Sequence, residues 1–149
     1  MKEFRLLLLG TTLAAVIGVG CKKDDTPPLA SETYVMYNYS SGNAANAGAF
    51  TINENSDGNA SISVNLSSGY LVPGVTLKSY VVITDSTTGT EFILSNLNDI
   101  DGASGQSTTS PVVNNSTNTP ISFDELTGDK GYSVKILNNT NVQAKGEIE

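Results

Sequence analysis

The sequence predicts an all-β fold, an antiparallel Greek-key β-sandwich of about eight strands, with a Greek-key barrel as the alternative arrangement. Short segments alternate apolar and polar residues, which is typical of strands with one buried face. Turn-forming Gly, Asn, Asp and Ser separate these segments at short intervals. After residue 32, no segment of useful length has the 3.6-residue apolar period of a helix.

The N-terminal segment determines where the chain is expected to work. Residues 1–20 have the order of a secretory signal peptide, with a basic start, an apolar run over 6–17 and a small-residue exit. Cys21, the only cysteine, follows directly. A small residue before a lone cysteine resembles the lipobox of bacterial lipoproteins, in which the thiol is acylated, although Gly18 stands where that family prefers a larger apolar residue. The alternatives are an ordinary signal peptide with a leftover cysteine, or a transmembrane anchor, for which the run is short.

Residues 21–32 are predicted to be a lipidated cysteine and a flexible tether, because a charged, Pro-containing stretch without periodicity buries no surface. The charged cluster after the cysteine resembles the export signal of surface lipoproteins in Bacteroidetes-like bacteria; it consists of Lys22, Lys23, Asp24 and Asp25. This resemblance implies a lipid anchor in the cell outer membrane and exposure at the cell surface. The periplasmic face is the alternative. Residues 33–149 then form one domain.

Composition excludes several classes of function. Removal of residues 1–20 would leave six lysines, no arginine and 14 acidic residues, a net charge of −8, which argues against a nucleic-acid partner. The chain has no His and no Trp. Without His there is no imidazole base and no usual zinc or copper site, and an acylated Cys21 leaves no thiol nucleophile. We therefore expect no enzymatic activity and no cofactor.

The first half of the domain contains the clearest strand pattern. Residues 33–39 predict a first strand, and the small, polar residues 42–48 predict a loop. Phe50 and Ile52 alternate with polar residues, and after a turn with the pair Asp57-Gly58 the alternation resumes. The predicted inward residues of this second hairpin strand are Ala60, Ile62, Val64 and Leu66.

The middle of the domain is predicted as a connection and two strands. Residues 67–74 read as a connection in which Tyr70 and Leu71 cap one end of the core. Residues 75–84 follow as a strand, and a turn leads to a strand over 91–97. The predicted inward face of the first of these strands consists of Val75, Leu77, Val81 and Ile83.

The last part begins with a turn-rich loop over 98–105 and a Ser/Thr/Asn stretch over 107–119. The second segment has little apolar content, so it is predicted to be the most mobile surface and a binding loop that can be deleted without loss of the fold. Residues 121–126 predict a strand or a single helical turn. Two final strands are predicted to face inward with Tyr132, Val134 and Ile136, then Val142, Ala144, Gly146 and Ile148.

Several of these segments resemble a known family. They are residues 97–105 (LNDIDGASG), 119–126 (TPISFDEL), 131–132 and 142–148 (VQAKGEI). They resemble the CHRD domain and, more closely, the CHRD-domain lipoproteins of Bacteroidetes-type bacteria; residues 50–66 fit that family's opening hairpin. The resemblance implies a β-sandwich broadly like copper-zinc superoxide dismutase. The family's histidine positions fall at Val81, Ile83 and Ile136, so the resemblance implies a kept fold and a lost metal site.

Three further groups are candidate sites. Asn98, Asp99 and Asp101 resemble the start of an acidic calcium loop, but no Glu follows at the required distance, and simple turn formation is favoured. Asp124 and Glu125 are the densest acidic pair, and a solvated rim is favoured over glycoside hydrolysis. The remaining group is a possible tyrosine binding stripe, for which core and sheet packing is favoured; it consists of Tyr34, Tyr37 and Tyr39.

The sequence thus predicts a surface-anchored, non-catalytic domain that binds a glycan or protein partner or contributes to the envelope, and whose contact with the membrane is through its lipid. A metal-binding or superoxide-dismutase-like protein is the alternative, which the absence of His disfavours. A purely structural spacer is a third possibility.

Overall fold

The computed structural model describes residues 27–40, 43–128 and 131–149. As predicted, the fold is all-β and its strand pairs are antiparallel. The first strands are β1 (Ser31–Asn38), β2 (Ala45–Glu54), β3 (Ala60–Leu66), β4 (Thr76–Thr84), β5 (Glu91–Asn96) and β6 (Ile100–Asp101). The remaining strands are β7 (Gln106–Thr109), β8 (Val113–Asn114), β9 (Thr119–Pro120), β10 (Tyr132–Asn138) and β11 (Asn141–Glu147). Two short helices complete the fold, a 3₁₀ turn over Ser68–Tyr70 and α1 (Phe123–Gly128).

The main sheet closes on itself into an eight-stranded barrel. Its strand order is β10-β11-β1-β2-β3-β7-β6-β4-β5, and an additional β4–β10 pairing closes the ring. Closure is possible because β4 has partners along both edges. One edge pairs with β10, and the other pairs with β6 and then with β5. The predicted fold class is therefore confirmed at the level of an all-β antiparallel fold, and the strands form a closed ring.

The barrel interior is filled by the inward residues of nearly every strand. Its largest fully buried side chains include Met36, Phe50, Ile52, Ile62, Leu77, Val81, Ile100 and Ile136. The β2–β3 hairpin forms as predicted, and all four predicted inward residues of β3 are buried. Val142 differs from the prediction, because a register shift in the β10–β11 pair between Ile136 and Leu137 moves it to the exposed face.

The predicted loop over residues 42–48 is wrong in its second half, because β2 already begins at Ala45. Small residues belong there for a steric reason. Gly48 has φ +140°, and a Cβ on it would lie 2.3 Å from the carbonyl oxygen of Asn65 on β3. A small residue therefore allows β2 and β3 to stay paired at this position.

The prediction that residues 107–119 form a mobile, removable binding loop is wrong. The segment contributes β7, a strand of the barrel that pairs with β3, and then the β8–β9 hairpin. Val112 donates its backbone N–H to Ala60 and is fully buried, and Ile121 in turn donates to Val112. The polar composition of the segment gave no sign of this role, since its only apolar residues are Pro111, Val112 and the half-buried Val113. Deletion of the segment would open the barrel.

Both ends of the barrel are covered. At one end α1 packs on the core through Phe123 and Leu126, so that residues 121–126 form an isolated bridge followed by a short helix. At the other end Tyr70 and Leu71 pack against the core, as predicted. Apolar side chains therefore cover the core at both ends of the barrel.

The predicted lipid-attachment residue Cys21 and the predicted export cluster lie outside the described residues. They remain predictions, as do the signal peptide and most of the tether. Strand β1 begins at Ser31, two residues before the predicted start of the domain at 33. In the part of the chain that the structure describes, no helix has the length and apolar character needed to cross a membrane.

Candidate binding groove

A concave surface with exposed aromatic side chains runs along the outer face of β1 and β11. The two strands pair with Tyr37 opposite Lys145. Because side chains alternate along a strand, Thr33, Val35 and Tyr37 point outward from β1. This surface, hereafter the β1–β11 groove, has a volume of about 530 Å³ and is lined by Thr33, Tyr34, Val35, Tyr37, Tyr39, Lys145, Glu147 and Glu149.

Two neighbouring tyrosines form the aromatic part of the groove. Tyr37 and Tyr39 are 38% and 58% exposed, and their ring centroids lie 6.4 Å apart with the planes inclined by 51°. The favoured interpretation was core and sheet packing, and its core part is wrong for these two residues, whose rings lie at the surface. Exposed tyrosine rings offer a large amphipathic contact area whose ordering on binding costs little side-chain entropy.

Tyr34 has a different role, because its side chain points to the face of β1 opposite to that of Tyr37. Its ring stacks on Phe50 with centroids 5.2 Å apart and planes inclined by 19°. Its hydroxyl donates a hydrogen bond to Glu32. Burial, together with the hydrogen bond and charge of Glu32, raises the pKa of Tyr34 to about 12. For Tyr34 the packing interpretation agrees with the structure, although the residue also lines the groove.

A chain of ion pairs lies beside the tyrosines. Lys145 Nζ lies 2.9 Å from Glu91 Oε1 and 2.9 Å from Glu147 Oε1, and Lys135 Nζ lies 2.5 Å from Glu91 Oε2. Burial lowers the pKa of Lys145, but the hydrogen bonds and charges of Glu147 and Glu91 outweigh it and leave that pKa above its ordinary value. The hydrogen bonds from Lys135 and Lys145 hold the pKa of Glu91 below its ordinary value. These side chains are thus fixed in place next to Tyr37.

The calcium candidates do not converge on one point. Asp99 forms an exposed ion pair with Lys78 at 2.6 Å, whereas Asp101 accepts the backbone N–H of Ser104 at 3.0 Å within a turn. Asn98 donates its side-chain amide to the carbonyl of Thr108 at 2.7 Å. Each side chain is engaged by a different partner. Among the described residues, no three His, Cys, Asp or Glu side chains lie close enough together to hold a metal ion.

The acidic pair Asp124 and Glu125 lies in the first turn of α1. Ser122 Oγ accepts the backbone N–H of Glu125 at 3.1 Å, and the Ser-x-x-Glu spacing is that of a helix N-terminal capping box. Both carboxylates lie on the first turn, where a negative charge is favourable. Both residues are exposed, which agrees with the favoured interpretation of a solvated rim.

The three positions at which the resemblance to the CHRD domain would place histidines pack in or against the hydrophobic core. Val81 and Ile136 are fully buried, and Ile83 is half-buried against the same core. Val81 lies opposite Val134 in the β4–β10 pair. These positions therefore contribute apolar packing to the barrel wall.

Sequence patterns could have located part of this groove. Alternation separates Tyr37 from Tyr34, and it also turns Lys145 and Glu147 to the outer face of β11. Strands β1 and β11 are neighbours although their paired residues lie more than 100 positions apart in the sequence. No local sequence pattern could predict this pairing. Comparisons of the chain with models of protein families, with curated proteins and with solved structures found no match.

Proposed function

We propose that this chain is a lipid-anchored, non-catalytic binding domain at the bacterial cell surface, and that it binds a glycan in the β1–β11 groove. One observation carries the proposal: two adjacent exposed tyrosine rings line a groove of about 530 Å³. This volume lies within the range of small-ligand sites, about 300–1,000 Å³. Sugar rings present apolar C–H faces with polar edges, and this surface matches aromatic rings flanked by charged side chains.

The position of the tether supports access to the groove. Ala30 is held to the barrel wall by Glu54, which donates its backbone N–H to Ala30 O at 2.8 Å and accepts the Ala30 N–H at 3.0 Å. The chain enters the barrel there, and β1 then runs for eight residues, about 25 Å, toward Tyr39. A protein anchored through Cys21 would therefore carry Tyr39 at the end of β1 that lies away from its anchor.

We also propose the finer description of the fold, a Greek-key sandwich related to the CHRD domain. Two seams of the barrel are sparse, since β6 pairs with β7 only at Asp101–Gln106 and β1 pairs with β11 only at Tyr37–Lys145. These seams divide the barrel into one layer of β1, β2, β3 and β7 and another of β6, β4, β10 and β11. Strands β3 and β4 follow each other in sequence but are separated by β7 and β6, a crossing connection typical of Greek keys. The apolar packing of Val81 and Ile136 supports the proposal that the family's metal site is absent.

The binding proposal is tested with the mature chain in detergent micelles and a panel of oligosaccharides, by the shift in its melting midpoint. A ligand present at 100 times its dissociation constant stabilises the folded state by about 2.7 kcal/mol. The double variant Tyr37→Ala/Tyr39→Ala is expected to weaken binding about tenfold or more, because each ring that packs against a sugar contributes about 1 kcal/mol. Phe92→Ala removes an aromatic ring that is 56% exposed outside the groove and serves as the matched control. Equal binding by both variants would refute the groove as the site.

Anchoring is tested separately. In a bacterial host that processes lipoproteins, Cys21→Ala is expected to remove incorporation of a labelled fatty acid and to release the domain from the membrane fraction. Digestion of intact cells with a protease distinguishes the cell surface from the periplasmic face, because only a surface-exposed domain is cleaved. Labelling of Cys21→Ala at the level of the unchanged chain would contradict the proposed anchor.

A further inference from the structure

We propose that the glycan bound in the β1–β11 groove carries protonated amino groups, so that the preferred ligand is an oligosaccharide of unacetylated amino sugars. This inference rests on the proposed function and adds the chemical class of the ligand. Its basis is the distribution of charge in the groove.

The only cation among the groove residues is already neutralised. Lys145 contacts both Glu91 and Glu147 at 2.9 Å, and only 22% of its side chain is exposed. A carboxylate or sulfate on a ligand would have to displace one of these glutamates before it could pair with Lys145. The exchange would replace one ion pair with another and would gain little, so an acidic glycan is disfavoured.

Negative charge in the groove remains available to a ligand. The Glu147 side chain is 48% exposed although one of its oxygens contacts Lys145, and Glu149 is an exposed residue that lines the same groove. Lys145 shares its charge between Glu147 and Glu91, while Glu91 also pairs with Lys135. The ion-pair chain is thus balanced, and Glu149 adds an excess negative charge at the rim. The mature chain as a whole has a net charge of −8, which attracts cationic ligands at long range.

The tyrosines favour the same kind of ligand. An ammonium group over the face of an exposed aromatic ring is attracted by about 0.5–1 kcal/mol. Tyr37 lies opposite Lys145 in the strand register, and Glu147 follows two residues later on the same face of β11. A sugar stacked on Tyr37 or Tyr39 can therefore present an amino group to a ring face or to a carboxylate. A neutral N-acetyl group carries no charge, so it gains neither the cation–π attraction nor an ion pair.

The test compares two oligosaccharides that differ only in acetylation, a glucosamine tetramer and an N-acetylglucosamine tetramer. Binding to the mature chain in detergent micelles is measured by calorimetry at mildly acidic pH, where the sugar amines are protonated. We expect the glucosamine tetramer to bind about fivefold more tightly, which corresponds to one weak cation–π contact and one exposed ion pair. The preference is expected to shrink at high salt, because exposed charges are screened.

Two variants and a control assign the preference to the groove. Glu147→Gln and Glu149→Gln are each expected to reduce the ratio of the two affinities. The control Asp124→Asn removes an exposed carboxylate on α1 and is expected to leave that ratio unchanged. Equal binding of both tetramers would overturn this inference and leave the proposed glycan site intact. An equal loss of preference in Asp124→Asn would also overturn it, because the effect would then come from net charge. Failure of all glycans to bind would overturn the inference together with the proposed function.

Discussion

Replacement of Gly146 by Ala is expected to destabilise the barrel, because β1 and β11 meet there at a sparse seam. Gly146 faces inward on β11, opposite Val134 of β10. A Cβ on this residue would lie 2.6 Å from the carbonyl oxygen of Val35, 2.8 Å from Phe50 Cε1 and 3.0 Å from Met36 Cγ. Ordinary van der Waals contacts of a Cβ begin at about 3.4 Å, so the backbones at the seam would have to separate by several tenths of an ångström.

The expected cost follows from the rigidity of the three neighbours. The nearest atom belongs to the backbone of β1, and the ring of Phe50 is fixed by its stack with Tyr34, so neither can turn aside easily. Overpacking of this kind costs about 1–3 kcal/mol. Gly69→Ala is the matched control, since a Cβ there meets nothing within 4 Å and its φ is not positive. That substitution is expected to be neutral or stabilising by up to about 1 kcal/mol, because alanine reduces the entropy of the unfolded chain.

The assay is urea unfolding of the chain without residues 1–20, the predicted signal peptide, followed by far-ultraviolet circular dichroism, with thermal unfolding as a second measurement. At about 4 °C per kcal/mol for a domain of this size, Gly146→Ala should lower the melting midpoint by about 4–12 °C. The slope of the urea transition should stay unchanged if only stability is affected. Equal stability of Gly146→Ala and Gly69→Ala would refute the close approach of β1 and β11 and with it the geometry of the groove.

The remaining predictions concern the ion pairs, the end of the barrel and the calcium candidates. The pKa of Glu91 is lowered, so its ion pairs contribute stability above its ordinary pKa of 4.5, and this contribution is lost as the pH falls through the lower folded-state value. Urea midpoints measured between about pH 7 and 3 should fall less steeply at the acid end for Glu91→Gln than for the unchanged chain, and parallel curves would contradict this. Ile121→Ala should cost about 2–5 kcal/mol in urea unfolding, whereas Val142→Ala on the exposed face should cost less than about 1 kcal/mol. Millimolar calcium should leave the melting midpoint unchanged, because Asp99 pairs with Lys78 while Asp101 accepts a hydrogen bond from Ser104. A midpoint that calcium raises in the unchanged chain but not in Asp99→Asn would show that these side chains converge on an ion.

The fold class could be predicted because the alternation of buried and exposed residues is local. In β3 every second side chain is buried, from Ala60 to Leu66, and the turn at Gly58 with φ +78° connects it to β2 as the Asp-Gly pair predicts. The same logic assigned the inward face of β10. Local patterns failed to predict structure where a segment of polar composition forms part of the barrel. The polar segment that contains Val112 was predicted to be a loop, yet the barrel needs its strand β7 and its buried valine.

The candidate site could be predicted only in part. Alternation alone would place Tyr34 on one face of β1 and Tyr37 on the other, and the structure agrees with this parity. The preference for core packing was wrong for Tyr37 and Tyr39 and right for Tyr34, because nothing local to β1 shows which face of the strand is covered. The partners of Lys145 on other strands were likewise beyond the reach of any local pattern.

By itself, the sequence determined the half-buried strands and the lack of any histidine, and it predicted a lipid anchor at Cys21, because each of these depends on residue types or on spacing along the chain. Only the tertiary structure decided that β4 pairs on both edges, that the ring closes, and that Tyr37 lies beside Lys145. Pairing of distant strands is selected by the packing of the whole interior, with small residues such as Gly146 where the chains approach closely. The groove is a product of that closure, since its two walls come from opposite ends of the domain.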